Sequence, residues 1–399
     1  MRRVAVVLVV VLIWALADVS VVAAQAPAAV PITACGQIIT TDAVLRTDLT
    51  CPGTALRIEA SGVTVDLRHH HITSSDGTGI GVVYGFSPID AFPGQCVQDV
   101  TVQGGTISGF LGGLGGECST STGDVAAGVT LTDNTWGLYI DDGFPPELRH
   151  STIVGPNGIG PDGEPGSFRV SGSTIEVTAP EGHLLVEDGE GCDNLIDSSR
   201  LVNGRLVAAG GCDPTISNSR LEDVSMGCGD TNITVTDSVL VDSPISGEAC
   251  GLTISGDQLI GPGTGTAVDN GGWSSSMTGN LFTGWDTAVV WRYDGRNITV
   301  SGNTFRGNGT GFLNTGPSCA WCVDGTITRN RFLDNSGSGL VLGSGTWNVG
   351  SNLALRNGGL GIDAEPSGSN PLTVLDLGGD VARGNQPPQC IGVVCTSFG

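Results

Sequence analysis

The sequence predicts an all-β chain: a single parallel β-helix solenoid of about 12–14 coils, stapled by disulfides. Three observations predict it. A six-residue unit recurs thirteen times, no amphipathic stretch of helical period is long enough to supply crossover helices, and cysteines fall at matching offsets in consecutive units. The unit reads apolar, any, any, small-polar, any, apolar. It is plainest in Ile196-x-x-Ser199-x-Leu201, Ile216-x-x-Ser219-x-Leu221 and Val235-x-x-Ser238-x-Leu240. It continues through Ile254/Asp257/Leu259, Met277/Asn280/Phe282, Val300/Asn303/Phe305, Ile327/Asn330/Phe332 and Val349/Asn352/Ala354. Less regular copies begin at Leu67, Val102, Leu131, Leu148 and Val170, and most spacings are 19 to 27 residues.

Each unit alternates apolar and polar positions around a Gly, Asn, Asp or Ser corner, which reads as short strand, tight bend, short strand. A second short strand with inward apolar residues precedes many copies, as in Gly137–Ile140, Leu184–Val186, Ala288–Val290 and Gly339–Leu342. Strands of three to five residues recurring without helices stack as coils roughly 4.8 Å apart. An antiparallel sandwich is the competing fold. It gives no reason for Ser or Asn at one place in every unit. Asn280, Asn303, Asn330 and Asn352 are therefore read as an internal corner ladder, and Phe282, Phe305, Phe332 and Trp291 as core.

The ends are read separately. Arg2-Arg3, the apolar run Val4–Ala17 and the small residues Val22-Ala23-Ala24 form a signal peptide over 1–24. An uncleaved anchor is the alternative. Residues 25–60 are expected to cap the N-terminal end, 61–365 to form the helix, and 366–399 to supply the last coil and cap, because open coil ends leave unpaired strand edges. Export to an oxidising compartment suits twelve cysteines, an even number. Cys192 and Cys212 each stand four residues before a unit, so stacking brings them within disulfide reach. Cys228–Cys250, Cys35–Cys51, Cys96–Cys118 and Cys390–Cys395 are the other expected pairs. Cys319-Ala-Trp-Cys322 has redox-motif spacing without a βαβ context, and is read as a structural bridge.

Composition excludes several functions. All 17 basic residues are Arg, so no lysine can hold phosphate, form a Schiff base or act as base. A net charge of −23 repels nucleic acid and anionic membrane alike. Once the signal is removed, no membrane span remains.

Cys35-Gly36, Ile39–Asp42, Asp48–Cys51 and Val63-Thr-Val-Asp-Leu67-x-x-His70-x-Ile72 resemble the start of secreted bacterial right-handed parallel β-helix proteins. Gly361-Ile362-Asp363, Gly378-Gly379, Gly384-Asn385 and Gln389-Cys390-x-x-Val393-Val394-Cys395 are similar to their ending. The resemblance, to the pectin-lyase-like superfamily, covers nearly the whole mature chain. It implies a right-handed solenoid and contact with polysaccharide, but no single activity. Arg68-His69 departs from the Asn-Gly expected at the first bend, which points to a less regular turn there. Hydrolases of this superfamily pair aspartates with a downstream Lys motif; Asp141-Asp142 could stand for the pair, and the Lys is missing. Tyr84-Gly85-Phe86-Ser87-Pro88-Ile89 keeps four of the six residues of an epimerase motif without its acid and base. Lyases of the family need calcium carboxylates and an Arg, and an acidic chain approaches a polyuronate only through such calcium.

The richest candidate stretch is Tyr139, Asp141 and Asp142 with Glu147, Arg149 and His150 behind it. Alternation with Leu138 and Ile140 turns Tyr139 and Asp141 outward, so Tyr139, Asp141, Asp142 and Arg149 are the candidate catalytic group. Glu187, Asp188 and Glu190, one or two coils on, are the candidate calcium ligands. A solvated acidic rim is the bland reading of both. His69 and His71 share a face at strand spacing and offer a weaker metal pair. Trp273 and Trp321, in loops, are candidate sugar contacts. Two functions follow: a non-catalytic, secreted scaffold or glycan-binding rod, preferred because every complete catalytic motif is missing, or a lyase, hydrolase or uronate epimerase using the carboxylates near Asp141.

Overall fold

The structure is a computed structural model that describes residues 28–85, 96–116, 122–140, 146–160, 167–188, 193–247, 250–272, 274–292, 295–315, 323–367 and 370–397. The repeat unit dictates its architecture. In the coil of residues 232–247 the unit makes two strands, Asn232–Thr236 and Val239–Val241, and a third, Ile245–Gly247, returns the chain to the next coil. All strand pairs are parallel. The unit strands stack into one 30-stranded sheet, and the third strands stack into a second sheet of 16. Among the described residues there are strands and turns but no helix, and none long and apolar enough to cross a membrane.

Register follows the repeat. Ile196, Ile216, Val235, Ile254, Met277, Val300, Ile327 and Val349 are consecutive partners in one ladder. The sixth position runs Leu201, Leu221, Leu240, Leu259, Phe282, Phe305, Phe332 and Ala354. Every one of these side chains is buried. Stacking identical positions places Phe282 over Phe305 and Phe305 over Phe332, with ring centres 4.9 and 5.0 Å apart and nearly parallel planes. The terminal strands join the same ladders: Val30–Ile32 pairs with Ala43–Leu45, and Leu372–Gly378 pairs with Gly345–Gly350.

The corner divides its work between two residues. The left-handed angle falls on the residue before the small-polar position, at Ser198, Asn218 and Asp237, where φ is 51°, 49° and 50°. The small-polar residue itself turns inward and accepts a backbone N–H from the coil before. Ser151, Ser173, Ser199, Ser219, Ser238, Asp257, Asn280, Asn303, Asn330, Asn352 and Asp380 form one unbroken chain of such bonds. The second bend repeats the device. There Asn308, Asn335, Asn357 and Asn385 form a parallel ladder, closed by Gln389 at 3.0 Å. The expected ladder at Asn280, Asn303, Asn330 and Asn352 is thus one half of a longer one. Asn308 belongs to the second. At the first bend Arg68 and His69 both adopt left-handed angles (φ 47° and 64°), so the departure from Asn-Gly leaves the bend conformation in place.

Cys35–Cys51, Cys228–Cys250 and Cys390–Cys395 are disulfides, with Cα atoms 5.4, 5.9 and 6.1 Å apart. Cys96 and Cys212 are also disulfide-bonded; their expected partners, Cys118 and Cys192, lie outside the described residues. So do Cys319 and Cys322, and the expected signal peptide.

Candidate functional site

The third strands break strict alternation, and that break positions the site. In Trp136–Ile140 the order is outward, inward, inward, outward, inward: Gly137 and Leu138 both face the core, while Trp136 and Tyr139 face out and are partly exposed. Thr266–Asn270 and Thr310–Asn314 follow the same order. Period two would place Trp136 inside with Leu138 and Ile140, so alternation finds Tyr139 and misses Trp136. Two consecutive small-then-apolar residues, Gly137-Leu138, are the only sequence sign of the step.

Neighbouring coils make room for both rings. A Cβ on Gly160 would lie 2.5 Å from the Trp136 ring, and one on Gly112 would lie 2.5 Å from the Tyr139 Cβ. Gly112 and Gly115 are the register partners of Trp136 and Tyr139 on one side; Asn157 and Gly160 are their partners on the other. Glycine therefore lets two aromatic side chains lie along the strand surface. Trp136 stacks on His183, two coils away, with centres 6.4 Å apart and planes 16° apart. Asn157, between them, accepts the His183 backbone N–H at 3.0 Å and donates to the Thr135 carbonyl at 3.0 Å. Trp136 and His183 thus form an aromatic strip on the 16-stranded sheet, and Tyr139 faces out from the same strand as Trp136.

The other expected site residues are placed as follows. Arg149 stands on the 30-stranded sheet in Glu147–Arg149, not on the sheet that carries Tyr139, and pairs with Glu147. That hydrogen bond and charge hold the Glu147 carboxyl below its usual range and raise the Arg149 guanidinium. His150 occupies the adjoining left-handed bend. Asp141, Asp142, Glu190, Trp273 and Trp321 lie outside the described residues. Glu187 and Asp188 end the strand His183–Asp188, two rungs from Tyr139 on the same sheet; their side chains lie outside the described residues. His70 pairs through Nδ1 with Asp48 at 3.0 Å, while His71 is exposed. Among the described residues no three His, Cys, Asp or Glu side chains converge as a metal-binding group. Trp291 is buried, as expected, and so is Tyr84, whose hydroxyl burial drives well up. Buried within the corner ladder, Asp257 has its carboxyl pushed up to about 6, by desolvation first and by Asp237 second, against backbone hydrogen bonds from Ser238 and Ser255.

The solenoid geometry agrees with the family comparison: the model described as "Right handed beta helix region" matches residues 208–376. Over those residues the chain matches the right-handed β-helix family, and its described coils share one parallel β-helix fold. Among solved structures this β-helix is similar to tailspike protein 3 of bacteriophage CBA120, with 14% identity and a TM-score of 0.33; the match covers 90% of this chain and 57% of that one. It is also similar to the catalytic domain of a GH87 alpha-1,3-glucanase in complex with tetrasaccharides. There the identity is 8%, the TM-score 0.26, and the match covers 88% of this chain and 64% of that one. The β-helix spans less than two thirds of either structure, and the likeness is one of fold alone. No curated protein matches the sequence.

Proposed function

We propose that this β-helix is an extracellular polysaccharide-binding protein, a rod that displays sugar-contacting side chains and acts as a non-catalytic scaffold. The observation that carries the reading is the outward Trp136–Tyr139 pair, with His183 stacked beside it, on a glycine-lined stretch of the 16-stranded sheet. Flat aromatic faces with polar edges suit pyranose rings, which present apolar C–H faces and a rim of hydroxyls. Disulfides suit an oxidising, extracellular setting. Removal of residues 1–24 as a signal peptide, and capping by 25–60 and 366–399, belong to the same proposal.

A second reading is favoured by one feature: Asp141 and Asp142 directly follow the strand that carries Tyr139. In that reading the chain is a polysaccharide lyase, hydrolase or epimerase in which Tyr139, Asp141 and Asp142 act on the sugar. Calcium is held by Glu187, Asp188 and Glu190, and Trp273 and Trp321 add sugar contacts. Arg149 fits it less well, being on the other sheet and already neutralised by Glu147.

Affinity electrophoresis of the full chain through gels containing neutral or acidic polysaccharides separates the readings. Retardation is expected, and a Trp136→Ala/Tyr139→Ala variant should bind about tenfold more weakly, equivalent to about 1.4 kcal/mol. Undiminished retardation of that variant would remove the aromatic strip from the reading. New reducing ends or unsaturated products, lost on chelation or in Asp141→Ala, would establish the enzyme instead.

A further inference from the structure

Charge is unevenly spread along the rod. Between residues 295 and 384 six arginines (Arg296, Arg306, Arg329, Arg331, Arg356 and Arg383) stand against six acidic residues, a local balance of zero in a chain of −23. The coils gather several of these arginines on one face. In the second unit strands, Arg306, Leu333, Leu355 and Arg383 are successive register partners, and so are Thr304, Arg331, Leu353 and Val381. Because Phe305, Phe332, Ala354 and Ala382 point inward, the alternate positions lie on the outer side, where Arg306, Arg331 and Arg383 are exposed and Leu333 is covered by its neighbours. Arg306 and Arg383 thus stand three coils apart, roughly 14 Å by the parallel-strand spacing.

Acidic partners are few here. Asp334 pairs with Arg356 at 2.7 Å and reaches Arg306 at 3.8 Å. Among the described residues Arg331 and Arg383 have no acidic partner and are exposed. Elsewhere the arginines of this face are neutralised, as Arg200 and Arg220 are by Glu222. Leu355, Arg356, Val381, Arg383 and Gly384 line a groove of about 440 Å³. An apolar floor with guanidinium groups at its edges is the arrangement that takes a sugar ring by its C–H face and a charged substituent by paired N–H donors.

We infer that this face of the last coils is an anion-selective glycan subsite, which binds carboxylate- or sulfate-bearing sugars without a bridging cation. It rests on the reading of the chain as glycan-binding and specifies the chemistry of the glycan. It lies on a different sheet from the Trp136 strip and about nine to eleven coils along the rod, roughly 45–50 Å away. The expectation that an acidic chain reaches a polyuronate only through calcium holds for the average charge, not for this face. Arginine keeps its charge at any working pH and forms bidentate pairs that survive local acidity.

The test uses the full chain in affinity electrophoresis, with polygalacturonate, dextran sulfate and neutral dextran as probes, in chelator and at low ionic strength. Retardation by either polyanion is expected to fall about tenfold in the Arg331→Gln/Arg383→Gln variant. It should also fall steeply with added salt. Which polyanion is retained tells carboxylate from sulfate. Equal retardation of wild type and the arginine variant, or no polyanion retention at all while a neutral polysaccharide is still bound through Trp136, overturns the subsite alone. No binding to any polysaccharide overturns both this inference and the reading beneath it.

Discussion

The Ser-cornered coils from Ser151 to Ser238 and the Asn-cornered coils from Asn280 to Asn352 share one fold and one register, yet hold their neighbours differently. A corner serine accepts one N–H from the coil before and returns its own proton within its coil, as Ser219 does to the Ser217 carbonyl. A corner asparagine bridges three coils. Asn303 accepts the Asn280 N–H at 2.9 Å, donates to the Met277 carbonyl at 2.8 Å, and donates to Asn330 at 3.0 Å. The Asn half adds a second ladder, Asn308 to Asn385, and the Phe282–Phe305–Phe332 stack. The N-terminal half has Ile and Leu at the equivalent core positions, and the described disulfides Cys35–Cys51 and Cys228–Cys250 staple coils on the Ser side. In a solenoid, where each coil touches only its neighbours, such differences set local stability.

The strongest way to break the contrast is Phe305→Ala, which opens a cavity between two stacked rings. It should cost about 4 kcal/mol, read as a shift of the urea midpoint, and should loosen the Asn half first in hydrogen exchange. Next comes the corner itself. Asn303→Ala strands an N–H, a carbonyl and a neighbouring amide in a buried ladder, at a cost of about 3 kcal/mol. Ser219→Ala, which leaves one buried N–H without an acceptor, should cost about 1 kcal/mol. Equal losses in that pair would remove corner chemistry as the cause.

The smallest effect sharpens the junction between the halves, where Asp257 accepts N–H groups from Ser238 at 2.7 Å and Ser255 at 2.9 Å. Its carboxyl rises from 3.8 when free to about 6 in the fold, chiefly through desolvation. The folded chain therefore binds this proton more tightly than the unfolded chain does. Its share of stability is fullest below pH 4 and is lost as pH climbs towards 6, by roughly 2 kcal/mol. Asp257→Asn should flatten that part of the stability profile, measured by urea unfolding at pH 4, 5, 6 and 7. A variant profile parallel to wild type would assign the slope to other carboxylates.

Much of the fold is legible in particular residues of the chain. Ile196, Ile216 and Val235 recur with Leu201, Leu221 and Leu240 at a constant offset, and one offset is enough to set strand, bend, strand and inward face. Stacked coils then inherit register from the repeat, because slipping by one residue would expose a whole row of apolar side chains. Cys228–Cys250 is expected because the two cysteines precede consecutive units, at offsets of seven and four. Trp136 was hidden because the third strands take two inward steps in a row, at Gly137 and Leu138, and a period-two reading inverts the residue before them. Arg331 and Arg383 were hidden for a different reason. They are 52 positions apart in the chain and meet on one face only because intervening coils carry the chain round twice.

By itself, then, the sequence determined the solenoid, the inward rows and the corner asparagines, since each depends on a local pattern iterated at one period. Tertiary structure decided which outward side chains share a face: Trp136 with His183, Arg306 with Arg383, and Arg149 away from Tyr139. Outward positions bear no packing constraint that a periodic pattern could record, so their neighbours are known only once the coils are laid one upon another.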